Sequence, residues 1–103
     1  AVRSALDAGT VFDALFAASD FIAAGACDAL SGRGLSVPGD VSIVGFDDAP
    51  IASVHRPSIS SIRQDGAEAG HALAHAVIAL IEGNASITAQ ALPVELIARE
   101  TSR

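Results

Sequence analysis

Residues 41–48, VSIVGFDD, constrain the fold more than any other stretch: an apolar run of β-formers stops in a glycine, an aromatic ring and two adjacent carboxylates. Val41, Ile43, Val44 and Phe46 suit a strand covered on both faces, as strands of a parallel sheet are, and Gly45 permits a close backbone approach. Asp47 and Asp48 do not belong in such a core. In open parallel α/β sheets, ligands bind in the crevice outside the carboxyl ends of the strands, so an acid there is a candidate ligand contact. The other reading is that both carboxylates cap the turn that follows.

The flanking residues place this strand in a βαβ unit. Val2 and Leu6 lie one helical turn apart ahead of Gly9, as at the end of an amphipathic helix with a glycine cap. Residues 12–18 (FDALFAA) predict a strand, and Ser19-Asp20 offers an N-cap for a helix over 21–31 whose apolar stripe is Ile22, Ala23, Ala26, Cys27 and Leu30. Gly32-Arg33-Gly34 ends that helix, and a loop with Pro38 leads into the strand at 41–46. Strand, helix and strand joined by short loops form a right-handed crossover between parallel strands. Pro50 and Pro57 then leave room for a turn or two of helix before a short strand at 59–63. Asp65 with Glu68 makes a capping-box-like start, and Ala69, Leu73, Ala76, Val77, Leu80 and Ile81 keep one apolar face up to Gly83-Asn84, which predicts a helix over 65–82. The tail LPVELIARE (92–100) alternates as a strand near a sheet edge does. The fold class is α/β, a parallel sheet with flanking helices.

Composition narrows the partners. With 6 basic and 12 acidic residues the net charge is −6, which leaves no electrostatic footprint for a phosphate backbone. No 18-residue apolar run predicts a membrane span, and one cysteine, Cys27, supplies neither a disulfide framework nor a metal cluster. At 103 residues the chain reads as one domain or part of one. It begins Ala-Val-Arg with a helical pattern already running, so the coding start is expected upstream.

Enzyme chemistry fares poorly. There is no G-x-S-x-G elbow, and His55, His71 and His75 have no sequence link to a positioned serine. Glu68, His71 and His75 fall at i, i+3 and i+7 of one helix but lack the glutamate next to the first histidine that metalloprotease helices carry; a solvated or interface helix face is the better reading. Asp47 and Asp48 as an acid/base pair also fail, because strand neighbours point to opposite sides. No catalytic residue, metal or cofactor is expected.

Taken together, FAASDFIAAGACDAL (16–30), GLSVPGDVSIVGFDD (34–48), PSISSIRQ (57–64) and LPVELIARETS (92–102) resemble the C-terminal third of a lactose-repressor (LacI/GalR) family transcription regulator. Four separated motifs occur in the family's order and spacing. The resemblance implies part of a periplasmic-binding-protein-like (type I) fold, two α/β lobes around an effector cleft with crossover strands between them, in a cytoplasmic homodimer. It also implies a helix-turn-helix DNA-binding head, which no stretch of this chain supplies. The related periplasmic sugar-binding proteins of transporters are the alternative; the RETS ending, the VPGDVS loop and PSISSIRQ favour the repressor branch.

Carried over residue by residue, the family's effector contacts fall on Ser19, Phe21, Asp47 and Gln64. Such a set suits a sugar or another polyhydroxy or amine-bearing metabolite, since a carboxylate accepts two strong bonds from vicinal hydroxyls and Gln64 both donates and accepts. Many family members carry asparagine and a long polar residue where Ser19 and Phe21 stand. Phe21 offers an apolar face to a sugar ring, or packs on the lobe. Asp20 is expected to cap the helix. The dimer surface falls on Ala24, Cys27, Asp28 and His55, with a small buried core residue as the other reading of Cys27. Segments 58–63 and 92–97 correspond to the crossover strands, and the helix over 65–82 to the N-terminal lobe.

Overall fold

A computed structural model describes residues 1–83 and 91–103. The elements, in chain order, are α1 (Val2–Asp7), β1 (Ala14–Phe16), α2 (Asp20–Ser31), β2 (Ser42–Phe46), α3 (Pro50–Val54), β3 (Ser60–Gln64), α4 (Gly66–Ile81) and β4 (Val94–Ile97). The strands form one sheet in the order β1-β2-β3-β4. β1 and β3 both run parallel to β2, with Phe16 opposite Val44 and Phe46 opposite Ile62. The backbone divides into two compact units, residues 1–63 with 96–103 and residues 64–95.

In the first unit α2 packs on β2 through very small side chains. Ala23, Ala26, Cys27 and Leu30 are buried against Val41, Ile43 and Ile59, and Ala52 of α3 closes the same core. Alanine stems let the helix lie close to the strand, and Gly45 takes the approach to its limit: a Cβ there would land on Asp20 Oδ1, 3.2 Å from Asp20 Cα and 3.3 Å from Ala23 Cβ. The close approach expected at Gly45 is therefore the approach of the α2 N-terminus. Burying Leu30 and Ile43 contributes about 1.5–3 kcal/mol each, enough to anchor so small a core.

Two expectations are corrected here. β2 is fully covered on one face, where Ile43 and Gly45 are buried, while Ser42, Val44 and Phe46 on the other face are half-buried. On that open face Phe16 and Phe46 meet edge to face at 6.3 Å, beside a shallow apolar depression of about 370 Å³ lined by Phe16, Val44, Ile62 and Leu96. Ile22, read as part of the α2 stripe, is exposed, and Ala24 and Ala29 are buried in its place.

The VPGD loop is closed by its own acid: Asp40 Oδ2 accepts from the Ser36 N–H at 2.7 Å and the Ser36 hydroxyl at 2.6 Å. These bonds hold the Asp40 carboxyl below its ordinary range. The RETS ending is likewise structural. Thr101 is fully buried; it accepts from the Ser60 N–H at 2.9 Å, donates to the Ile43 carbonyl at 2.8 Å, and thereby ties residues 99–102 across β2 and β3. Glu100 takes both the N–H and the hydroxyl of Ser58, at 2.6 and 2.8 Å.

The second unit consists of α4 and its flanks. Asp65 is the N-cap, its Oδ1 accepting from Ala67 N–H at 2.9 Å and Glu68 N–H at 3.0 Å. Gly83 follows with φ 78°, the left-handed value a helix stop favours; Asn84, read as part of that stop, lies outside the described residues. The apolar face of α4 is present, and its Leu73, Val77, Leu80 and Ile81 are more than half exposed. Among the described residues no helix is long and apolar enough to cross a membrane.

Candidate functional site

β1 and β2 are parallel neighbours, so their carboxyl ends open on the same edge of the sheet. Ser19, Phe21 and Asp47 follow those two ends. Ser19, in extended conformation, caps α2: its hydroxyl oxygen accepts from the Ile22 N–H at 3.3 Å. The expected capping role of Asp20 is corrected, because Ser19 occupies that place and Asp20 becomes the first helical residue. Phe21, in the first turn, keeps its ring two-thirds exposed. Gln64 is the last residue of β3 and the first of the second unit.

Asp20 is instead a fully buried carboxylate that ties three segments together. Its Oδ2 accepts from the Ala49 N–H and its Oδ1 from the Ser61 hydroxyl, both at 2.6 Å. The Ser61 oxygen in turn accepts from the Asp48 N–H at 3.0 Å. With the Asp47 N–H donating to the Ile62 carbonyl at 2.9 Å, three successive backbone donors of the turn 47–49 are fixed to β3 and α2.

That turn is not a continued strand. Asp47 and Asp48 both have left-handed backbones, φ 93° and 50°, a conformation that costs a non-glycine residue of order 1–3 kcal/mol and persists where the surroundings enforce it. The alternation argument that sent the two side chains to opposite sides of a strand is therefore replaced: β2 ends at Phe46 and the carboxylates are aimed by a turn. Asp48 folds inward. Its side chain is 8% exposed and sits between two guanidiniums, with Oδ2 2.6 Å from Arg63 Nη2 and Oδ1 2.7 Å from Arg99 Nη2. Burial works to raise the Asp48 pKa, but the hydrogen bonds and charge of Arg99 and Arg63 outweigh it and hold the carboxyl below its ordinary value. Nothing in the sequence pairs Asp48 with Arg99; Asp20, Ser61, Thr101 and both arginines were not legible as a set.

The four residues assigned to the dimer surface separate. Cys27 (1% exposed) and Ala24 (7%) are buried within the chain itself. Burial first, and the Asp28 charge second, push the Cys27 thiol up to about 11, which keeps it protonated and unreactive at neutral pH. Asp28 points outward from α2 with His55 Nε2 3.7 Å away, and His55 Nδ1 lies 2.9 Å from the Pro57 carbonyl. Among the described residues no three histidine, cysteine or acidic side chains gather as a metal site, and Glu68, His71 and His75 of α4 do not converge as one.

Three parallel strands with α2 packed on one face and a constrained acidic turn at their carboxyl ends make the kind of edge at which open α/β sheets hold ligands. Residues 2–102 match the model of the periplasmic binding protein-like domain family. The chain belongs to that family, in its lactose-repressor (LacI/GalR) branch. It is 36% identical over 97 residues to the lactose operon repressor of Escherichia coli, covering 94% of this chain and 27% of that protein. To the ribose operon repressor of Halalkalibacterium halodurans it is 33% identical, covering 98% and 31%. A lactose operon repressor of Rhizobium radiobacter is 33% identical over 88% of this chain and 80% of its own length. Among solved structures, the lac repressor dimer bound to operator and the anti-inducer ONPF superposes with a TM-score of 0.84 at 35% identity, covering 98% of this chain and 35% of that one. The complex of the regulator CelR with cellobiose gives 0.83 at 33% identity, covering 99% and 32%. The chain thus spans between a quarter and a third of the first two relatives' length.

Proposed function

We propose that residues 1–103 are the C-terminal portion of the effector-sensing and dimerisation domain of a DNA-binding transcription regulator, one that answers to a sugar or sugar derivative in the cytoplasm. The observation that carries this reading is the left-handed turn 47–49, every backbone N–H of which is committed to scaffold at the carboxyl edge of a parallel sheet. Relatives that are named operon repressors, and a neighbour solved with cellobiose, support regulation over transport. In this reading Asp47 takes a pair of hydroxyls, Phe21 offers its ring to an apolar sugar face, and Ser19 and Gln64 add polar contacts. Binding rather than catalysis is the chemistry proposed. Asp28 and His55 lie on the surface offered to a second copy, with Ala24 and Cys27 beneath it, and DNA is contacted by a head outside these residues.

Calorimetric titration of the full-length protein with lactose, D-ribose and cellobiose tests this. At least one should bind, and Asp47→Asn should weaken it about 10- to 100-fold, from the ~1.5–3 kcal/mol of a charge-assisted hydrogen bond. Unchanged affinity in the Asp47 variant, or loss only through unfolding, overturns the assignment.

A further inference from the structure

Asp47 and Asp48 are adjacent, chemically identical and both left-handed, yet the structure spends Asp48 on an internal ion cluster. Its carboxylate accepts from Arg63 Nε at 2.8 Å on one oxygen and meets Arg99 Nη2 at 2.7 Å on the other. Arg99 is itself fixed: its Nη1 donates to the Ile59 carbonyl at 2.8 Å and its backbone N–H to the Ser60 hydroxyl at 2.7 Å. Ser60 Oγ also pairs with Ser102 Oγ at 2.7 Å. One side chain therefore joins the turn after β2 to the segment that follows β4.

We propose that Asp48 is a positioning residue for effector binding: clamped by Arg99 and Arg63, it holds the 47–49 turn in the left-handed form that presents Asp47, and it makes the order of that turn depend on the segment 99–102. The inference rests on the effector reading above for its functional half. Its physical basis is independent of that reading. A left-handed aspartate relaxes to an ordinary backbone unless something resists, and two guanidiniums on a nearly buried carboxylate are a strong restraint. The three backbone bonds of the turn fix its path, and the Asp48 ion pairs fix the orientation of the residue next to the ligand contact. Because Arg99 reaches both Asp48 and the Ile59 carbonyl through one planar fork, lysine, a point donor, does not replace it.

The test uses the full-length protein and the variants Asp48→Asn, Arg99→Lys and their combination. Amide hydrogen exchange is followed in peptides spanning 45–50 and 97–103, the Asp47 amide signal is followed in 15N-aspartate-labelled protein, and affinity is measured for lactose, D-ribose and cellobiose. Both single variants should speed exchange in both peptides about tenfold or more, because each removes one shared charge-assisted contact. Both should move the Asp47 amide signal and weaken sugar binding about tenfold, and the combination should be no worse than the poorer single variant. Exchange confined to the mutated segment, an unmoved Asp47 signal, or additive losses overturn the coupling. If Asp48→Asn does not fold, Arg63→Gln, at a half-exposed side chain, must give the same pattern more weakly, or the proposal falls. If none of the three sugars binds the unmodified protein, the sugar reading fails on its own, and exchange and the Asp47 signal decide the clamp.

Discussion

Gly45→Ala and Gly25→Ala are the same chemical change at two glycines of one helix–strand pair, and they should move stability in opposite directions. At Gly45 the new methyl would occupy the place of Asp20 Oδ1 and press on Asp20 Cα at 3.2 Å and Ala23 Cβ at 3.3 Å. Two of these neighbours are helix atoms rather than the loose end of a side chain, so relief requires moving the N-terminus of α2. Overpacking of this kind costs about 1–3 kcal/mol. Displacing Asp20 also endangers its bonds to Ala49 and Ser61, and leaving a buried polar partner unsatisfied costs about 1–3 kcal/mol more. The sum, about 2–6 kcal/mol, lowers the thermal midpoint of the full-length protein by roughly 4–24 °C, at about 2–4 °C per kcal/mol for a larger domain. At Gly25, exposed within α2, an added Cβ meets nothing within 4 Å. There alanine gains about 0.5–1 kcal/mol from helix propensity and reduced unfolded-state entropy. Circular dichroism melts of the two variants decide the matter. If Gly45→Ala melts within a degree or two of the unmodified protein, or if both variants shift the same way, the close packing of α2 on β2 is not what this glycine provides.

Other outcomes follow from the same geometry. Cys27, buried and with its pKa raised to about 11, should resist aromatic disulfide reagents at pH 8 until denaturant is added; stoichiometric labelling within minutes would contradict its burial. The Asp48 pKa is lower in the folded protein than its ordinary 3.8, so its ion pairs contribute stability that is present above that value and lost as pH falls through the folded one. Urea midpoints should accordingly be insensitive to Asp48 ionisation at neutral pH and drop below about pH 4, with a shallower acid drop in Asp48→Asn; equal acid profiles would refute this. Residues 1–103 expressed alone should self-associate through the apolar face of α4, and a monodisperse monomer in sedimentation would count against that.

Much of the fold was legible because its signals are local. The β-formers of 41–46, the serine ahead of α2, the aspartate ahead of α4 and the glycines after the helices carry their own conformational preferences, and the elements fall within a few residues of where those preferences put them. β1 is shorter than the strand read at 12–18, because only Ala14–Phe16 find partners on β2. The α2 face was harder. Its contacts are made by alanines, whose burial is decided by the strand below and not by their own hydrophobicity, so Ala24 and Ala29 went in while the larger Ile22 stayed out. At the ends of β1 and β2, the places of Ser19, Phe21 and Asp47 were legible and the bonding of their neighbours was not. Asp20 looked like a cap because acids ahead of helices usually are caps; its burial depends on Gly45 and Ser61, which arrive from other strands.

Two adjacent aspartates give a sequence reader no reason to treat them differently, and side-chain alternation along a strand was the natural tie-breaker. The backbone breaks the tie another way. Once β2 stops at Phe46 and two successive residues turn left-handed, one carboxylate is drawn under the turn to Arg63 and Arg99, some fifteen and fifty residues further along the chain. Its charge is then answered inside the protein, and it has little left to offer a ligand. Asp47 precedes it, its amide tied to the Ile62 carbonyl, at the edge where the β1–α2 loop brings Ser19 and Phe21. The substitution that separates the two roles is asparagine at each position in turn. At Asp47 it should cost affinity. At Asp48 it should cost affinity through Asp47 and loosen residues 99–102 as well, a segment that a simple ligand contact gives no reason to disturb.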